Sequence, residues 1–259
     1  MSNLPGTTES RQSTISEAEP ARWTDLRQFT QARVALGRAG NGLPTAAHLD
    51  FQAAHAAARD AVHARLDVAA LRAELHAAGL PSIAVRSQAT DRRSYLLRPD
   101  LGRRLQDPAA IPPMPGAMLF VICDGLSATA VQCHAVPLLS ATVPRLRLPP
   151  APVVVAEQGR VALGDDICEL MGAQAVAVLI GERPGLSAAD SLGVYLTWQP
   201  RRGCTDALRN CISNIRPQGL PPETAADKLL WLIGEMQRLR LSGVLLKDEQ
   251  PTTRQVRED

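Results

Sequence analysis

The chain has 259 residues, 45% of them hydrophobic and 21% charged, which is enough apolar side chain for one large domain or a compact domain with a helical extension. Aromatic residues make up 3% and the formal net charge is +2, so neither the stacking platforms nor the basic runs of a nucleic-acid binder are present. Five cysteines without a CxxC pair read as reduced thiols, no apolar run reaches the roughly 20 residues that span a bilayer, and the Met-Ser-Asn start carries no apolar signal segment.

Residues 1–21 are rich in Ser, Thr, Glu and Pro and are expected to form a disordered tail. Helical signals dominate from Trp23 to Gly79. Asp25 is placed to cap a helix bearing Leu26, Phe29, Val34 and Leu36, ending at Gly37 or Gly40. Pro44 suits the first turn of an Ala-rich second helix through Leu49, Ala53, Ala57 and Val62. Asp67 caps a third, with Leu71 and Leu75, stopped by Gly79 and Pro81. Ile83 to Val85 reads as a short strand, and Leu101 to Pro115 as a linker broken by prolines. The pairs Arg92-Arg93 and Arg103-Arg104 read as solvated faces.

From Ala117 the chain alternates strand and helix. Met118 to Ile122 is a continuous apolar run, as in a strand buried on both faces. Further strands are expected at Pro152–Ala156, Ala175–Ile180 and Val194–Trp198, with helices through Val131–Leu139 and from Pro222 to Leu239. This alternation predicts an α/β fold: a mainly parallel, doubly wound, Rossmann-like sheet with a helical N-terminal region, whose ligands sit beyond the carboxyl ends of the strands.

Four segments offer chemistry. Gly181-Glu182-Arg183-Pro184-Gly185 follows a strand; its glycines permit a tight turn close to a ligand, with Glu182 as acceptor, or it is a plain strand-to-helix turn with Glu182 in solvent. Asp124-Gly125-Leu126-Ser127 also ends a strand, and Asp124 or Ser127 caps the next helix or helps its amides hold a polar ligand group. Gly159 to Asp166 reads as a turn and a helix start. Asp165 and Asp166 either complement the helix dipole or form a pair of catalytic acids. Cys211, before Ser213 and Asn214, is a small buried hydrophobe or lines a pocket. A nucleophilic role would need a histidine base, and His134 lies within a helix without an evident partner. His48, His55 and His63 lie about 10–12 Å apart along one helix face, too far to share a metal ion. HExxH, P-loop, GxGxxG and GxSxG patterns are absent, so neither a catalytic set nor a metal site is expected.

An ordered series of segments goes further. Leu36-Gly37-Arg38-Ala39-Gly40-Asn41-Gly42-Leu43-Pro44-Thr45, Leu49-Asp50-Phe51-Gln52, Ala58-Arg59-Asp60-Ala61-Val62, Asp124–Ala128, Gly159–Asp165, Gly181–Ser187 and Cys211–Ile215 resemble, in order, the signature segments of the ethanolamine ammonia-lyase light chain family. The resemblance runs from about Leu26 to about Gly243. It implies the small subunit of a bacterial lyase that converts ethanolamine to acetaldehyde and ammonia with adenosylcobalamin. The hard radical chemistry in such enzymes belongs to the cofactor. It implies a large-subunit partner with a TIM-type barrel, in a hetero-oligomer with equal numbers of both chains, and no activity for this chain alone. Residues 22–110 would contact the large subunit, 111–246 would form the α/β cobalamin-binding domain, and 247–259 would be a polar tail. Val161, Glu182 and Cys211 match the family's cobalamin-contacting positions. They are expected in loops converging at one sheet edge: Val161 through its backbone or an apolar contact, Glu182 as acceptor, and Cys211 by packing. The chain lacks DxHxxG, so the cofactor's own base is expected to stay on cobalt. The resemblance places the enzyme in the bacterial cytoplasm, within a microcompartment in organisms that make one. A stand-alone α/β enzyme or a pure scaffold would leave the ordered series unexplained.

Overall fold

The computed structural model describes residues 26–30 and 32–250. They fall into two compact units that divide between Ala53 and Ala54. The expected tail at 1–21, the Asp25 cap and the last nine residues of the C-terminal tail lie outside the described residues.

The first unit holds a 3-10 turn at Leu26–Gln28, a turn closed by reciprocal backbone bonds between Ala39 and Gly42 (3.0 and 3.2 Å), and the start of helix α1 (Thr45–His63). The helix expected through Leu36 does not form. Residues 32–38 are irregular, with Ala35 and Gly37 both left-handed (φ 53° and 76°). No described side chain of this unit is buried, so an apolar helix face there has nothing to pack on, and propensity alone does not hold a short helix.

The second unit begins within α1. Helix α2 (Val68–Ala77) starts where Asp67 Oδ1 accepts from the Ala70 amide at 2.9 Å and ends at left-handed Gly79. The elements that follow are β1 (Ser82–Arg86), α3 (Arg92–Leu97), β2 (Met118–Cys123), α4 (Ala128–Thr142), β3 (Val153–Glu157), α5 (Leu163–Met171), β4 (Ala175–Gly181), β5 (Leu192–Trp198), β6 (Arg209–Ile215) and α6 (Pro222–Leu239). The six strands form one sheet in the order β1-β3-β2-β4-β5-β6. Strand β1 precedes residue 111 yet pairs with β3, because its Val85 joins the same core as Val154 and Ala156.

The fold is thus α/β with a mainly parallel sheet: β1, β3, β2 and β4 run parallel. The doubly wound pattern stops at β4. The β4–β5 connection is only ten residues, 182–191, too short for a helical crossover, so β5 returns antiparallel and β6 pairs antiparallel with β5.

Side chains sort the sheet into two layers. On one face Phe120, Ile122, Leu179, Val194 and Ile212 meet α2, α4 and α6. On the other, Leu119, Val121, Val176 and Val178 meet Leu163, Ile167 and Met171 of α5. Helix α5 rests on β4, and farther along that same face Cys211 and Ser213 stay exposed on edge strand β6. Among the described residues that face of the sheet is therefore bare at Cys211 and Ser213 of β6, and half-covered at Tyr195 of β5.

Candidate functional site

Helices α4 and α5 follow the neighbouring strands β2 and β3 and lie on opposite faces of the sheet. A doubly wound sheet opens a crevice where such neighbours part, beyond their carboxyl ends. Here a cleft of about 950 Å³ starts at Gly125 and Leu126, passes the α5 start at Arg160–Ala162, and runs over the bare face past Tyr195 to Arg209. It is at the large end for a small-molecule site.

Two glycines make the crevice floor. A Cβ on Gly181 would stand 2.0 Å from the Ser127 carbonyl oxygen, and one on Gly125 would stand 2.3 Å from the Gly181 oxygen. The turn after β2 and the end of β4 therefore touch backbone to backbone, joined by the Leu126 amide donating to Gly181 O at 2.9 Å. Ser127 caps α4, accepting from the Ala130 amide at 3.2 Å, and its hydroxyl donates to Ala189 O at 2.8 Å. Asp124 is not a cap. It is buried behind the cleft, facing Arg92 of α3 at 3.7 Å, and accepts from the Gly159 amide at 3.1 Å. Arg92 accordingly does not lie on a solvated face: it donates to Val62 O (2.6 Å) and Gly125 O (2.8 Å), while Arg93 and Arg103 are exposed as expected.

Glu182 stands in the cleft just past β4. Its Oε2 accepts from the Ser191 hydroxyl at 2.5 Å and the Asn214 amide at 3.2 Å, so it ties the β4–β5 loop to the end of β6. Its other oxygen lies over Gly193, where a Cβ would approach it to 2.8 Å. No helix follows Glu182; the loop folds back on itself through Gly185 and Ala188. Val161 lines the same cleft at the start of α5. Cys211 is a correction: it is not in a loop but within β6, opposite Tyr195, because the Arg209–Ile215 run completes the sheet on β5. The structure therefore sets Val161 and Glu182 in the lining of one cleft and leaves Cys211 outside it, paired with the cleft's Tyr195 one strand beyond. Partial burial pushes the Cys211 thiol up, and the Tyr195 hydroxyl bonded to it draws it back; burial first, then Cys211, hold Tyr195 at about 12. Both stay protonated at neutral pH, which leaves Cys211 a packing and weak polar group.

The paired acids of α5 have structural partners. Asp165, 1% exposed, grips the buried Arg209 guanidinium at 2.6 and 2.7 Å, and burial raises its carboxyl despite that partner. Asp166 accepts from Arg202 and from the Leu105 amide (2.9 Å). The two carboxylates thus fasten both ends of the β5–β6 loop, which forms the far cleft wall. Arg160 adds the near wall. It stacks on Tyr95 at 4.3 Å and donates to Tyr95 O at 2.8 Å, while its buried Nε has no hydrogen-bond partner among the described residues. Sequence reasoning missed the roles of Arg92, Tyr95, Arg160 and Arg209, whose partners lie far away in the chain.

His48, His55 and His63 are exposed along α1, and no group of three or more His, Cys, Asp or Glu side chains among the described residues is arranged to hold a metal ion. No described helix is long and apolar enough to cross a membrane.

The ethanolamine ammonia-lyase light chain (EutC) family matches residues 20–247. The ethanolamine ammonia-lyase small subunit of Azotobacter vinelandii is 53% identical over 254 residues, covering 93% of this chain and 94% of that protein. The protein of the same name from Ralstonia nicotianae is 51% identical, covering 93% of each, and that of Xanthomonas campestris pv. campestris strain B100 is 54% identical, covering 88% of each. With a cleft at the sheet's switch point and similarity along nearly its whole length, the chain belongs to the ethanolamine ammonia-lyase light chain family.

Proposed function

We propose that this chain acts with a large subunit, in equal numbers, to convert ethanolamine to acetaldehyde and ammonia, and that its part is to hold adenosylcobalamin at the junction of the two chains. The observation that carries the reading is the half-open cleft of about 950 Å³ with Val161 and Glu182 in its wall, in a chain of this family. A corrin is broad, flat and apolar in its middle, with amide arms at its rim. The cleft offers a matching donor set: Ile180, Val161 and Tyr195 as apolar surface, Glu182 as an acceptor for amide N–H, and arginines as donors to carbonyl oxygens. The partly bare β5–β6 face leaves room for a group wider than an enclosed pocket admits.

When bound, adenosylcobalamin supplies radical chemistry through homolysis of its cobalt–carbon bond. The chain's own residues bind and orient. Glu182, its carboxylate held by Ser191 and Asn214, would serve as an acceptor for the cofactor's amide groups. Val161 would hold it by an apolar contact, and Cys211 with Tyr195 gives a neutral, protonated surface. The large subunit closes the open side and brings the substrate site. The first unit's exposed Leu26, Phe29, Leu43 and Leu49 (43%, 79%, 46% and 57%) support a role for the N-terminal region in that contact. The proposed setting is the bacterial cytoplasm, within a microcompartment in organisms that form one.

The test is co-expression with the large chain, followed by assay of acetaldehyde with and without adenosylcobalamin. Production that needs both chains and the cofactor is expected. Activity from either chain alone, or activity without the cofactor, refutes the reading.

A further inference from the structure

We infer that Asp124 is the positioning residue for the Gln158–Val161 turn, and through it for the near wall of the cofactor cleft; the inference rests on the cobalamin reading above. Asp124 does not line the cleft. It is 1% exposed, and from the end of β2 it reaches sideways to the loop after β3, where its Oδ1 accepts from Gly159 N. That turn is strained, with Gln158 at φ 53°, a conformation that surrounding structure must impose on a residue with a side chain. The imposition comes from several sides. Ser87 donates to Gln158 O at 2.7 Å, the Arg160 amide donates to Gly102 O at 2.8 Å, and Tyr95 donates to Gly159 O at 3.4 Å. Arg92 stacks on Tyr95 at 4.7 Å and donates to the Gln158 side chain at 3.4 Å, so Asp124 is the counter-charge around which this wall is assembled.

Asp124 differs from the other anchors because its charge changes near neutrality. Burial pushes its carboxyl to about 6, against the pull of Arg92 and of the Gln158, Gly159 and Gly125 amides. The charged and titratable groups that face it are Arg92 and Tyr95 from α3 and Cys123 from its own strand. Burial raises the last two far above neutrality, so only Asp124 titrates in this cluster at physiological pH. Protonation removes the charge facing Arg92 and leaves a neutral carboxyl with a weaker acceptor toward the Gly159 amide. The turn is then held less firmly, and Arg160 and Val161 with it, without a change in any group that lines the cleft.

The test uses the two-chain complex, wild type and Asp124→Asn, with adenosylcobalamin affinity measured by equilibrium dialysis from about pH 5 to about pH 8 and thermal unfolding in parallel. Wild type is expected to lose affinity about tenfold as pH falls through about 6, while Asp124→Asn binds about tenfold more weakly at neutral pH and shows no such step. Ser87→Ala removes a neutral anchor of the same turn. It should weaken binding at every pH yet keep the midpoint, and it serves as the variant of record if Asp124→Asn does not fold. An Asp124→Asn complex as tight as wild type, a wild-type step that it reproduces, or a Ser87→Ala complex without the midpoint overturns the inference. A wild-type complex with no affinity at any pH overturns the functional reading, and this inference with it.

Discussion

Glu182 both fastens two segments and stands in the cleft. Its Oε2 joins Ser191 to Asn214, so its removal loosens the loop as well as the cleft. Glu182→Ala is expected to cost about 1–2 kcal/mol of stability, the net worth of two hydrogen bonds, and to weaken cobalamin binding by more than that. Gly193→Ala offers a second probe. Its new methyl would meet Glu182 Oε1 at 2.8 Å, at the flexible end of the side chain, and should swing the carboxylate aside at a stability cost similar to that of Glu182→Ala. The binding losses of the two variants should not add, since both dislodge the same group. Urea midpoints and dialysis on the single and double variants decide; additive losses would mean that Gly193→Ala acts other than through Glu182, and an unchanged affinity in Glu182→Ala would mean that Glu182 does not meet the ligand. Sequence left Glu182 open between a ligand acceptor and a turn residue in solvent, and the fold sets it in the cleft wall. It gave no sign of Asp124 as a buried charge, because its partners Arg92 and Gly159 lie 32 and 35 positions away and only the fold joins them.

At the scale of elements, the legible parts were those that carry their own signal. The run Met118–Ile122 and the run Ala175–Ile180 became β2 and β4, every residue buried on both faces. The Asp67 and Ser127 caps stand where helix-start chemistry puts them. What failed was long-range: β6 was hidden because its exposed Cys211, Ser213 and Asn214 break the apolar pattern on the bare face. The Asp165–Asp166 pair also needed the fold, since its partners Arg209 and Arg202 come from the β5–β6 connection, 44 and 36 positions along the chain. Cutting one of these fastenings has an element-sized result. Arg209→Met leaves Asp165 buried without a counter-charge and is expected to cost about 3–5 kcal/mol, measured as a fall in the urea midpoint. A loss under about 1 kcal/mol would show that the loop, and the far wall with it, is held by other contacts.

The second unit is three layers thick at β2 and β4, which helices cover on both sides, and thinner toward β6, where Cys211 and Ser213 are exposed on one side. Opening free energy follows such coverage. Amides of β2 and β4 should exchange with deuterium only through global unfolding, whereas those of Cys211 to Ser213 should exchange through local opening. Uniform protection across all six strands would refute this gradient. Its consequence is that rigidity in this chain is on loan at one edge: the strands left open are the ones whose order depends on what covers them. Cofactor and large subunit should therefore register as a slowing of exchange concentrated at β5 and β6, while the parallel strands, already locked, report almost nothing.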